Sequence, residues 1–135
     1  MSDTEGDRAE WSFPADPGAV RTARAVVRRQ LGTWHLDGVS DTAALLVSEL
    51  VTNALRHATG PIGVRLIRPA PRSGLGDILL VEVSDPLPEP PREREARPDD
   101  ESGRGLQLVA SASRRWGSRP DDTGKTVWFE LVLPG

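Results

Sequence analysis

The stretch from Ser40 to Pro61, SDTAALLVSELVTNALRHATGP, is what most restricts the folds open to this chain. Ser40 is a candidate N-cap, Gly60 and Pro61 form a stop signal, and nothing between them breaks a helix, so the spacing predicts one continuous helix. Its apolar positions (Ala43, Ala44, Leu46, Val47, Leu50, Val51, Ala54, Leu55 and Ala58) nearly encircle the axis. A helix of that kind has to be covered on most sides, and the rest of the chain has to be organised around it.

The positions left over are Ser48, Glu49, Thr52, Asn53, Arg56 and His57, which come in pairs four apart and stack along one face. Solvated helix faces are usually written in Lys, Glu, Gln and Arg. This stripe is mostly Ser, Thr, Asn and His, short groups that make directed hydrogen bonds, so it is expected to look into a polar cavity. Glu49 and Asn53 lie one turn apart, an arrangement that suits an amide oxygen on a divalent cation with a carboxylate just beyond it. An amphipathic helix with a short polar flank reads the same way, and the helix alone does not decide.

Composition narrows the classes. A chain of 135 residues makes one domain with a single sizeable core. Its 37% hydrophobic and 27% charged residues are those of a soluble globular protein, and no apolar run approaches the roughly 18 residues that would span a membrane. The N-terminal MSDTEGD lacks the basic and apolar regions of a secretory signal, which points to the cytoplasm. With no cysteine and only His35 and His57, disulfides, thiolate metal sites and His-rich sites are excluded; any metal would be an oxygen-ligated ion such as Mg²⁺. A net charge of −3 offers no global footprint for direct nucleic-acid binding.

Taken in order, residues 1–12 are acid-rich and expected to be a disordered tail, leaving 13–135 as the domain. Val20, Ala23, Val27 and Leu31 recur at spacings of three and four and predict a first helix from Pro17 to about Trp34. Its arginines, Arg21, Arg24, Arg28 and Arg29, read as a solvated face. After the central helix, alternating Ile62, Val64 and Leu66 predict a strand, and Ile78 to Ser84 a second one ending in Asp85, joined as a hairpin. Residues 86–102 hold five prolines and nine charges in 17 positions, which excludes regular structure and marks a lid or a disordered loop.

Gly103-Arg104-Gly105-Leu106 then opens a short helix, where free backbone N–H groups suit an anion such as phosphate. The chain ends in strands near 115–119 and 126–133, with Val127, Phe129 and Leu131 alternating with Trp128, Glu130 and Val132. The run Thr123-Gly-Lys-Thr126 is not a P-loop, because Arg119 stands where the first glycine belongs and a strand follows. These elements predict an α+β fold, a two-layer sandwich with a mixed, mostly antiparallel sheet covered by helices on one face.

The ordered set of a helix carrying Glu49-x-x-x-Asn53, a hairpin ending in Asp85, a long loop, Gly103-x-Gly105, a helix and final strands with Thr126 resembles the GHKL superfamily of ATPases, with its Bergerat-type ATP-binding fold. The wording Ser48-Glu-Leu-Val-Thr-Asn-Ala-Leu-Arg-His-Ala58 is most similar to the anti-sigma-factor serine kinase branch. The resemblance implies ATP and Mg²⁺ as cofactors, Asn53 as the metal ligand, and Glu49 as the base for an attacking serine hydroxyl. It implies Asp85 as the acceptor for the adenine amine, with Thr126 supporting it. Gly103, Arg104, Gly105 and Leu106 would meet the phosphates under a lid over 86–102. The partners it implies are an anti-sigma-factor antagonist, a sigma factor and, in that branch, a second copy of the chain.

Singly, each motif has a plainer reading: Glu49 as an ion-pair partner of Arg56 or His57, Asp85 as a cap on the turn at Pro86, the glycines as a hinge. One departure from the superfamily pattern stands out. The usual Asp-x-Gly-x-Gly is here Asp85-Pro86-Leu87-Pro88-Glu89, which removes both hinge glycines and adds rigid residues without N–H donors. That departure motivates a rival expectation, a catalytically weak protein-binding module of the same fold in a partner-switching pathway. A detached histidine-kinase catalytic domain is disfavoured, because the chain has no dimerising helical hairpin with a phosphoacceptor His.

Overall fold

The computed structural model describes residues 7–56, 60–69, 78–86, 101–121 and 124–133, without the side chains of 101–105 and 121. In chain order these form β1 (Asp7–Phe13), α1 (Gly18–Thr33), a 3₁₀ turn (Asp37–Val39), α2 (Ser40–Leu55), β2 (Ile62–Arg68), β3 (Ile78–Asp85), α3 (Glu101–Ala112), β4 (Arg115–Asp121) and β5 (Gly124–Val132). The strands make one sheet in the order β1-β2-β3-β5-β4, and each neighbouring pair is antiparallel. Helices lie on one face, as expected for the α+β sandwich; no parallel pair occurs among the described strands.

The helix predicted to be covered on most sides is the centre of the packing. Helix α2 contacts α1, α3, β2 and β3, and Ala43, Ala44, Leu46, Val47, Leu50, Val51 and Ala54 are buried in the core. From the sheet, Val64 and Leu66 of β2, Leu79, Val81 and Val83 of β3, and Val127, Phe129 and Leu131 of β5 meet them. These are alternate positions, so the side-chain period of two sorts each strand into a helix-facing set and an open-face set. From α1, Ala19, Ala23, Val27 and Leu31 complete the layer.

Two expectations need correction. Residues 7–12 are not a tail but most of edge strand β1, in register with β2 so that Trp11 lies opposite Val64 and Phe13 opposite Ile62. Phe13 is buried, Trp11 packs on the core, and Asp7 and Glu10 pair with Arg68 and Arg65. Acid-rich composition suggested disorder, but these acids meet arginines on β2 while Trp11 and Phe13 pack on the core. Helix α2, for its part, begins without a side-chain cap, with Val39 at the cap position and Ser40 already helical. It closes at Leu55, short of Gly60, and His57 lies outside the described residues.

Helix α1 ends in a motif that normally calls for glycine. His35 has φ of 60°, in the left-handed region, while the Leu36 N–H donates to the Leu31 carbonyl at 2.8 Å and the His35 N–H to that of Gly32 at 3.1 Å. This is the paired bonding of a Schellman cap, carried by a residue with a Cβ.

Candidate functional site

The polar stripe of α2 divides in two. Ser48 is buried; its hydroxyl donates to the Ala44 carbonyl at 2.8 Å and accepts from Arg24 Nε at 3.0 Å, so it ties α2 to α1 and does not line a cavity. Glu49, Thr52 and Asn53 are half-buried, and Arg56 is exposed. Among the described residues, neither Glu49 nor Asn53 forms a side-chain hydrogen bond or ion pair. The reading of Glu49 as an ion-pair partner of Arg56 therefore finds no support there. A carboxylate and an amide remain one turn apart on the flank of a buried helix.

The chain leaving α2 returns to the same end of the sheet as Asp85. A Cβ on Gly60 would stand 3.0 Å from the Pro86 ring, and Gly63 pairs with Ser84 at the start of β2. Asp85 is the last residue of β3 and continues the helix-facing set Leu79, Val81, Val83. Across the ladder it faces Lys125, whose Nζ lies 2.9 Å from Asp85 Oδ2, with the two side chains only 6% and 4% exposed respectively. Next to it, the backbone of β5 comes so close that a Cβ on Gly124 would fall 1.8 Å from the Asp85 carbonyl oxygen. Only glycine permits that approach.

Thr126, expected beside Asp85, occupies the adjacent rung and points to the other face, in register with Ser84 and Arg119. There it lines a cleft with Glu10, Arg65, Glu82 and Ser84. The buried Glu82 accepts from Arg65 Nη1 at 2.8 Å and from Arg119 Nη2 at 2.7 Å, a small ion-pair network on the open sheet face. The residue that reaches Asp85 is Lys125, which no motif points to. Its signal was present in the sequence: it shares the parity of Val127, Phe129 and Leu131, and it is the chain's single lysine among 17 basic residues.

Helix α3 starts at Glu101, so Gly103 and Gly105 sit within its first turns and do not precede it. Leu106 is half-buried against the core, and α3 packs on α2 and β4. The side chain of Arg104 lies outside the described residues, as do residues 87–100 of the expected lid over 86–102, whose last two residues, Glu101 and Ser102, are helical and not part of a loop. Backbone N–H groups of a first helical turn have no intrahelical partners, which suits an anion. As to a metal, no cluster of three His, Cys, Asp or Glu among the described residues could hold one alone. Mg²⁺ keeps most of its shell as water and phosphate oxygens, so one amide oxygen from Asn53 is a fitting contribution from the protein.

Comparison with known proteins places these features. In a crystal structure of the RsbU and RsbW domains of Rv1364c from Mycobacterium tuberculosis, a similar fold superposes with a TM-score of 0.70 at 19% identity, covering 94% of this chain. A histidine kinase domain from a blue-light activated histidine kinase of Erythrobacter litoralis matches at 28% identity over 70% of this chain, with a TM-score of 0.47. The chain spans 32% of the first of these and 45% of the second. No curated protein sequence matches it significantly. A family model described as a histidine kinase-like ATPase domain covers residues 13–131, from the last residue of β1 to the penultimate residue of β5, and the chain accordingly belongs to the histidine kinase-like ATPase domain family.

Proposed function

We propose that this chain is a cytoplasmic, ATP- and Mg²⁺-binding regulator that transfers the γ-phosphoryl group of ATP to a serine of an anti-sigma-factor antagonist. The observation that carries the reading is the half-buried pair Glu49 and Asn53, one turn apart on the central helix and without partners among the described residues. The family match and the helix-facing Asp85 at the end of β3 support the nucleotide part. The branch resemblance of residues 48–58 supports the antagonist, and it extends to a sigma factor and a second copy as further partners.

In this mechanism Asp85 accepts a hydrogen bond from the adenine amine and so orients the base. Asn53 offers its amide oxygen to the metal, and Mg²⁺ supplies charge neutralisation on the phosphate oxygens when bound. Glu49 accepts the proton of the serine hydroxyl as its oxygen bonds to the γ-phosphorus. The bond from that phosphorus to the bridging oxygen breaks, and ADP leaves. Phosphoryl transfer asks mainly for positioning and charge stabilisation, so this short set of groups is sufficient.

The test is titration of ATP with Mg²⁺ into the purified protein, followed by transfer of labelled phosphate to a candidate antagonist. Glu49→Ala is expected to retain ATP binding and to lose transfer by a factor of about 10² to 10⁴. Absence of saturable ATP binding would end the reading. One observation favours a rival: prolines 86 and 88 and the almost fully buried Asp85 fit a module that keeps the fold for protein recognition. Equal turnover by the wild type and Glu49→Ala, with antagonist binding intact, would select that rival.

A further inference from the structure

The Asp85–Lys125 pair is unusual for its surroundings. All the other helix-facing positions of β3 and β5 named above are apolar, from Leu79, Val81 and Val83 to Val127, Phe129 and Leu131, yet the last rung holds an aspartate and a lysine, both buried. A buried ion pair at best breaks even against well-packed apolar residues of the same size, because both ions must be stripped of water. Stability therefore gives no reason for these residue types at this rung. The other 16 of the chain's 17 lysine and arginine residues are all arginine. Arginine presents a wide planar fork, whereas an ammonium on a thin stem fits an enclosed space and directs three donors from one point.

We propose that Lys125 is the positioning residue of the base-recognition site, holding the Asp85 carboxylate in one orientation so that it selects the 6-amino group of an adenine nucleotide. The proposal rests on the reading of Asp85 given above. The main chain at this rung is set by the approach of Gly124 to the Asp85 carbonyl, and the side chain by the 2.9 Å contact of Nζ with Oδ2. The two oxygens of a carboxylate offer about four acceptor positions, more than the one that the ammonium on Oδ2 takes up. Without the ammonium, the contact that fixes Oδ2 is lost and the carboxylate is free to rotate away from the direction in which an amine would donate. Lys125 would thus act on base choice through Asp85 and need not touch the nucleotide.

Because Lys125 is the only lysine, labelling the protein with lysine carrying ¹³C at Cε yields a single side-chain signal that reports on this rung alone. ATP and purine riboside triphosphate, which lacks the 6-amino group, are titrated with Mg²⁺ into the labelled wild-type protein. The expected result is a shift of the signal with ATP that the deaminated analogue does not reproduce, together with about tenfold tighter binding of ATP. Lys125→Met, or Lys125→Gln if the former does not fold, is expected to lower that tenfold preference to about twofold or less while leaving affinity for the analogue unchanged.

Identical signal changes with both nucleotides would overturn the proposal. So would full preference for ATP in a folded Lys125 variant, or an equal loss of both nucleotides in it, which is what a purely structural role predicts. No binding of either nucleotide by the wild type would instead sink the nucleotide-site reading beneath the proposal. The two failures are therefore distinguishable.

Discussion

At the scale of single residues, what matters is which face of an element a side chain occupies. Ser48 and Glu49 are neighbours in sequence, yet one is spent on the seam between two helices and the other stands at the open flank of α2. Lys125 and Thr126 divide in the same way across the sheet. Two outcomes are expected at this scale. Lys125→Met leaves Asp85 buried without its ammonium and should cost about 3–5 kcal/mol of stability, measured by urea unfolding. Gly124→Ala puts a methyl group into the Asp85 carbonyl, at a separation of 1.8 Å with no flexible side chain to yield, and should cost at least about 3 kcal/mol by the same measurement.

At the scale of elements, the ends of the helices carry the information. Helix α1 closes with His35 in the left-handed region, where an L side chain is penalised and glycine is not. The hydrogen bonds of the cap are otherwise complete. His35→Gly is therefore expected to raise stability by about 1 kcal/mol, a shift of roughly 4 °C in thermal unfolding, with no effect on nucleotide binding. The exit of α2 has a functional consequence of its own, since Gly60 meets Pro86 directly and so couples the end of the central helix to the residue after Asp85. A bulky residue at position 60 should weaken ATP binding by moving Pro86, and a titration of Gly60→Val checks it.

At the scale of the whole molecule, one sheet face carries the helices and the other carries charge. The core needs β1, although β1 is an edge strand: Phe13 is buried in it and Trp11 packs on it. Beginning the chain at residue 14 is expected to lower stability by about 3 kcal/mol, roughly 10 °C in melting temperature. It would also expose the unpaired edge of β2 and promote self-association, seen as a concentration-dependent increase in size by light scattering. A chain whose first residues were a free tail would melt unchanged. No described helix is long and apolar enough to cross a membrane.

How much of this was legible beforehand depends on how local the cause is. Helical periodicity, glycine and proline punctuation and strand alternation are written in neighbouring residues, so α1, α2, the β2-β3 hairpin and β5 could be read directly from residue spacing, and so could the pairing of Glu49 with Asn53 along one turn. The family resemblance was legible for the same reason: its motifs are short and occur in order. Strand β1 was not, because the force that orders Asp7 to Phe13 is a partner more than 50 residues away, the β2 strand whose register runs from Arg68 back to Ile62. The partner of Asp85 was likewise decided by register. Nothing within the strand ending at Asp85 says which residue of β5 stands across from it; a slip of one position would have put Thr126 there and sent Lys125 to the open face. Local spacing was enough for every element named here except β1, and for the chemistry those elements carry, whereas packing settled which of those groups meet, because long-range pairing is a property of packed surfaces and not of neighbouring residues.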